Sequence, residues 1–91
     1  MKPALIQLHE SDNVGVCTRS VTAGEIIVIF GEPIMLDISL AIGHKLALKP
    51  IAEGELIVKY GVPIGTATAH ITTGAHVHTH NIKSNYIPTY E

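Results

Sequence analysis

The sequence predicts an all-β fold, and three observations carry that prediction. Apolar residues come in short β-branched bursts, each burst lies within a few residues of Gly or Pro, and one turn signature recurs four times. Bursts of four to eight residues with such boundaries read as strands, whereas a helix needs ten or more residues at 3.6 spacing. In chain order, Met1-Lys2-Pro3 leads straight into an alternating segment in place of a signal-peptide apolar block. Ile26 to Phe30 is the first strong strand. Ile34 to Ile42 is the one stretch that suits a helical turn, with Pro33 at a first helical position. Leu46 to Leu48, Leu56 to Tyr60 and Val62 to Ala69 are the next strands.

The turns share a grammar of apolar, two variable residues, Gly. It appears at Val21 to Gly24, Leu40 to Gly43, Ile51 to Gly54 and Ile71 to Gly74. A glycine fixed in place before a strand predicts positive φ there. A longer repeat joins two of these turns. Ala23 to Ile34 aligns without gaps on Glu53 to Ile64 at an offset of 30 residues, with seven of twelve positions identical. This predicts two copies of a turn–strand–Gly–Pro–strand unit about a pseudo-twofold axis. Two copies are too few for a solenoid. Glu25 and Glu55 follow the turn glycines at matching positions, which favours bonding to turn amides over catalysis.

The chain has 91 residues, 46% apolar and 15% charged. That is one domain, residues 1–91, with a thin core. A mean hydropathy of +0.32 in so small a body points to apolar surface that meets a partner, a homo-oligomer included. Net charge is −2, with six cations spread along the chain, which argues against nucleic acid as a partner. The most apolar window, Gly24 to Gly43, is broken by Glu25, Glu32, Pro33 and Asp37, so no membrane span is expected. Cys17 is the single cysteine, which excludes a disulfide framework and reads as a small core filler. A cytoplasmic location is the default expectation.

The chemistry concentrates in Gly74-Ala75-His76-Val77-His78-Thr79-His80-Asn81. In an extended strand His76, His78 and His80 share one face. Neighbouring imidazoles at i, i+2 lie about 6 to 7 Å apart at Cα and can reach one divalent metal. The outer pair is near 13 Å apart by the same rise. The strand therefore offers a bidentate clip at His76 and His78, with His80 spare for proton transfer. Gly43-His44-Lys45 opens another strand, and Lys45 could seat a substrate carboxylate or be a solvated lysine. His9 and His70 read as surface or turn residues.

Three runs carry a family resemblance. Ala47 to Glu55, Lys59-Tyr60-Gly61-Val62-Pro63-Ile64-Gly65-Thr66-Ala67 and the histidine segment through Asn81 resemble the N-terminal SAF domain of altronate and galactarate dehydratases. Gly43-His44-Lys45 fits the same pattern, and the resemblance spans roughly residues 5 to 83. It implies a β-clip fold. It also implies a small subunit or N-terminal domain of a sugar-acid dehydratase, which eliminates water to give a 2-keto-3-deoxy acid and needs a large catalytic partner to complete its site. The sulfolactate sulfo-lyase small subunit belongs to the same group, so the leaving group is hydroxide or sulfite. The tail from Ser84 to Glu91 has no linker composition, which suits a natural end.

From the resemblance together with strand geometry, His76, His78 and His80 are the expected catalytic residues. His76 and His78 are the metal ligands, and His44, Lys45 and Asn81 bind substrate. The resemblance implies a divalent metal, iron or manganese, bound jointly with the partner. Two other readings stand beside it: a non-catalytic SAF module that binds carbohydrate or protein, and a metal-storage peptide.

Overall fold

The computed structural model describes residues 4–84. The N-terminal tripeptide and the tail beyond Ser84 lie outside the described residues. Nine strands follow in order: β1 (Leu5–Ile6), β2 (Val14–Cys17), β3 (Ile26–Ile29), β4 (Glu32–Met35), β5 (Lys45–Ala47), β6 (Leu56–Lys59), β7 (Val62–Ala67), β8 (His76–Val77) and β9 (Ile82–Lys83). The described residues contain no helix, so none is long and apolar enough to cross a membrane.

A central antiparallel sheet, ordered β1-β2-β5-β8, separates two cores. Paired residues share a face: Leu46 lies with His76, and Lys45 lies with Val16 and Val77. One face carries Cys17 and Leu46, against which the β3–β4 hairpin packs Ile27 and Ile29. The other carries Val14, Ala47 and Val77, against which the β6–β7 hairpin packs Ile57 and Ala67. The molecule is thus a sheet with one hairpin on each side.

The four turn glycines take the positive φ their spacing predicts: 90° at Gly24, 93° at Gly43, 88° at Gly54 and 85° at Gly74. The apolar residue opening each turn is buried. These residues bond in pairs: Val21 with Leu40, and Ile51 with Ile71, each through two reciprocal backbone bonds of 2.8–3.0 Å. Glu25 Oε1 accepts the Thr22 N–H at 3.0 Å, and Glu55 Oε1 accepts the Ala52 N–H at 2.9 Å. Those carboxylates satisfy turn amides, as their duplication suggests.

The two segments that align at an offset of 30 both form two-residue hairpins. Phe30 and Gly31 sit at φ 49° and 83°, Tyr60 and Gly61 at 58° and 75°. Positive φ at both central residues matches the right-handed strand twist. The helical turn expected after Pro33 is overturned. β4 runs extended to Met35, and Leu36 is tied to the hairpin base by bonds with Gly24 and Glu25. Tertiary pairing overrides the local proline signal there.

Candidate functional site: a convergence of imidazoles

β5 and β8 are neighbours, and their register sets Leu46 opposite His76. His44 lies two residues before Leu46 and therefore emerges on the same face. Its ring meets that of His76, with His44 Nδ1 and His76 Nε2 3.1 Å apart, one nitrogen donating to the other. The ring centroids of His44 and His78 are 5.7 Å apart, and His76 stacks on His78 at 5.4 Å with a 9° tilt. One ligand atom from each of His44, His76 and His78 lies within 4.8 Å of the other two.

The extended ribbon expected through His80 is corrected. β8 ends at Val77, and His78 to Asn81 form a tight turn. The Asn81 N–H donates to the His78 carbonyl at 3.0 Å, while Asn81 Oδ1 accepts the His78 N–H at 3.0 Å. Asn81 Nδ2 donates to the His76 carbonyl at 2.8 Å. This side chain folds the strand end back on itself. His80 consequently reaches 5.4 Å from His76, between ring centroids, in place of the wide separation of an extended strand. Asparagine commonly bonds its own turn in this way, so the signal was present in the sequence.

Burial holds the His76 imidazolium below its ordinary pKa, and the charges of His44, His80, His78 and Lys45 add to that effect. Burial thus favours the neutral form of this ring, the form that ligates a metal. His44 and His76 are half-buried, while His78 and His80 are exposed. Lys45 is placed differently from the rings. It pairs with Val77, so its side chain leaves the opposite face of β5. Burial lowers its pKa and the Lys59 charge lowers it further. His9 bonds Ser11 within its own loop, and His70 is exposed between β7 and β8. Cys17 is a buried thiol in the first core.

A metal fits this donor set. Imidazole nitrogens bind divalent ions at about 2.0–2.1 Å, so three such donors close to 4.8 Å need only small ring movements to share one ion. The triad joins the residue entering β5 to His76 and His78 around β8, whereas sequence spacing suggests a bidentate clip at His76 and His78. Two clefts elsewhere, lined by Leu5, Gln7, Val28, Ile29, Phe30 and Leu48 and by Leu8, Lys59, Tyr60, Val62 and Ile64, include none of these rings. Two of the rings, His78 and His80, are exposed.

Sequence reasoning missed Asp12 and Asn13, both buried at the start of β2. Asp12 accepts the backbone N–H groups of His9, Tyr60 and Gly61 at 2.7–3.0 Å. Asn13 donates to the Leu56 carbonyl at 2.8 Å and accepts the Val58 N–H at 2.8 Å. Together they fasten the second hairpin to the central sheet. The Ser11-Asp12-Asn13 cluster was a readable turn signal.

The sequence matches the altronate/galactarate dehydratase SAF domain over residues 3–85. It is 42% identical over 82 residues to altronate dehydratase of Bacillus subtilis (strain 168), covering 90% of this chain and 16% of that protein. The altronate dehydratase of Escherichia coli (strain K12) is 41% identical over 80 residues, with 88% and 16% covered. The (2R)-sulfolactate sulfo-lyase subunit alpha of Chromohalobacter salexigens is 48% identical over 46 residues, which is 50% of this chain and 49% of that subunit. The chain thus spans about one sixth of the altronate dehydratases it matches. It belongs to the SAF domain family of altronate and galactarate dehydratases.

Proposed function

We propose that the chain supplies the imidazole cluster of a sugar-acid lyase and that a large catalytic polypeptide provides the rest of the active site. The observation that carries this reading is the cluster itself: four rings gather at the β8 edge of the central sheet, two of them exposed. The names of the relatives support the reaction class. Their length beyond the matched segment supports the partner.

In β-elimination the α C–H bond and the β C–O bond break, water leaves, and the resulting enol becomes a 2-keto-3-deoxy acid. A sulfo-lyase releases sulfite in place of water. The chemistry needs positive charge at the substrate carboxylate, a base for the α-proton and an acid for the leaving group. His44, His76 and His78 would hold a divalent metal, which when bound supplies that positive charge. An all-imidazole set suits iron better than manganese, which favours oxygen donors. His80 stands outside the triad, exposed, and moves a proton at a ring nitrogen. Asn81 acts through the rings it orients, since its amide is engaged in the turn. Lys45 reaches a substrate carboxylate only around the sheet edge.

The test is reconstitution with a large lyase polypeptide and an assay of keto-acid formation from altronate, galactarate and sulfolactate. The chain alone is expected to be inactive and the pair active on one of the three. His76→Ala should cut the rate by roughly a hundredfold or more, in the range of a lost electrostatic stabiliser, with the complex intact. A pair inactive on all three acids contradicts the reading. Full activity after replacing His76, His78 and His80 by Ala would leave a non-catalytic module.

A further inference from the structure

Lys45 and Lys59 lie on the side of the central sheet turned away from the imidazoles. Ala47 of β5 and Ile57 of β6 are buried together in the second core. Side chains alternate along a strand, so Lys45, two residues before Ala47, and Lys59, two residues after Ile57, lean to that same side. Both lysines are half-buried, and neither has a carboxylate within ion-pair distance among the described residues. Lys59 stands close enough for its charge to act on Lys45. Two neighbouring ammonium groups with reduced hydration and no acid repel one another, and an anion between them removes that cost.

Lys59 also lines a cleft of about 440 Å³ with Leu8, Tyr60, Val62 and Ile64. Small-molecule sites run roughly 300–1,000 Å³, with apolar walls and a few placed polar groups. The walls of this one are held from inside the protein. Buried Asp12 accepts the N–H of His9, next to Leu8, at 3.0 Å, and those of Tyr60 and Gly61 at 2.9 and 2.7 Å. Asn13 accepts the Val58 N–H at 2.8 Å, beside Lys59. A cleft whose two walls share one buried carboxylate is shaped before a ligand arrives, which lowers the ordering cost of binding.

Charge and lining together define the ligand. The ammonium groups select negative charge, and the Leu8, Val62 and Ile64 walls select carbon. A sugar acid carries hydroxyls along its length, and these would go unpaired against such walls. Nucleic acid needs a run of phosphate contacts, whereas the chain has six cations in all and a net charge of −2. The imidazole triad is no part of this site, because His44 and His76 emerge with Leu46 on the other face of the sheet.

We propose that Lys45, Lys59 and the cleft beside them form a second ligand site. It takes a small carboxylate with an apolar body, the head between the two ammonium groups and the chain against Leu8, Val62 and Ile64. The site stands independently of the lyase reading.

The test is titration of octanoate, kept below the concentration at which it forms micelles, into the ¹⁵N-labelled full chain. Saturable shifts are expected at the amides of Leu8, Lys59, Tyr60 and Val62. Lys45→Gln with Lys59→Gln should weaken binding by roughly tenfold or more, the loss expected for charge-assisted contacts. Lys49→Gln, at an exposed lysine outside the cleft, should leave affinity within about twofold. 1-Octanol, the same chain without the charge, should bind roughly tenfold more weakly than octanoate. Galactarate should leave these amides in place. Circular dichroism checks the fold of each variant. Should the double variant fail to fold, Val62→Asp, which sets a negative charge in the cleft at an exposed position, should abolish the shifts. No shift with octanoate, or undiminished affinity in the folded double variant or in Val62→Asp, overturns the site. 1-Octanol or galactarate binding as tightly as octanoate overturns the assigned ligand. The reconstitution assay decides the lyase reading separately.

Discussion

The β3–β4 and β6–β7 hairpins share turn, glycine and proline positions, yet they end in different surroundings. Each buries one isoleucine at the same place, Ile27 in the first core and Ile57 in the second. Each holds an aromatic residue at positive φ before a glycine. The second hairpin is then finished from within the chain. Asp12 and Asn13 bind its backbone, and β9 pairs along β7 as a third strand. The first has neither among the described residues. The registers differ as well: Met35 opposes exposed Ile26, whereas an irregularity between Ile57 and Val58 sets the buried Gly65, 30 residues on, opposite buried Ile57. A Cβ at Gly65 would lie 2.5 Å from the Lys83 carbonyl oxygen and 2.7 Å from Ile82 Cγ1. Matching local sequence specifies the turn of each hairpin, and distant residues decide how its backbone is held.

The largest expected effect separates those two positions. Gly65→Ala forces the β9 backbone away and should cost about 3 kcal/mol or more, at the upper end of overpacking. Met35→Ala should stay within about 0.5 kcal/mol, as for a surface change. Urea denaturation of the isolated chain measures both. Equal losses would mean that β9 does not pack closely against Gly65.

Asp12 carries the next effect. Burial pushes its carboxyl up, but the N–H groups of Gly61, Tyr60 and His9, with the His9 charge, outweigh it and leave the pKa below the ordinary value. Asp12→Ala leaves those donors unpaired and should destabilise by about 2–3 kcal/mol at pH 7. A depressed folded pKa contributes stability above the unfolded value of about 3.9, and that stability is lost as pH falls through the folded value. The gap between wild type and variant should therefore narrow below about pH 4. A gap that widens in acid would contradict the assignment.

The smallest effect compares the turn glycines. Gly31→Ala meets no atom within 4 Å and should cost only the positive-φ penalty, about 1 kcal/mol. Gly61→Ala adds a Cβ 3.1 Å from the His9 ring and should cost more, because that ring must also shift. Thermal melts of the pair give the order.

What could be read from the sequence was local. The glycine turns and the Glu25 and Glu55 bonds follow from residues within three positions of each other. The strands from Ile26, Leu56 and Val62 follow from period and boundary. The imidazole site was legible only in part, because His44 joins it across 32 residues through a strand pairing no spacing reveals. His80 was misplaced because Asn81 bends a stretch whose alternation reads as extended. Asp12 and Asn13 escaped notice because their partners lie 43 to 49 residues away.

The central claim is that imidazoles from two separate segments, one entering β5 and one around β8, converge on one point. Titrating Ni²⁺ into the ¹⁵N-labelled chain and following histidine ring resonances tests it without the partner. His44, His76 and His78 should broaden together at the lowest metal level, ahead of His9 and His70. Broadening of His76, His78 and His80 that leaves His44 sharp would describe a linear histidine run and contradict the site.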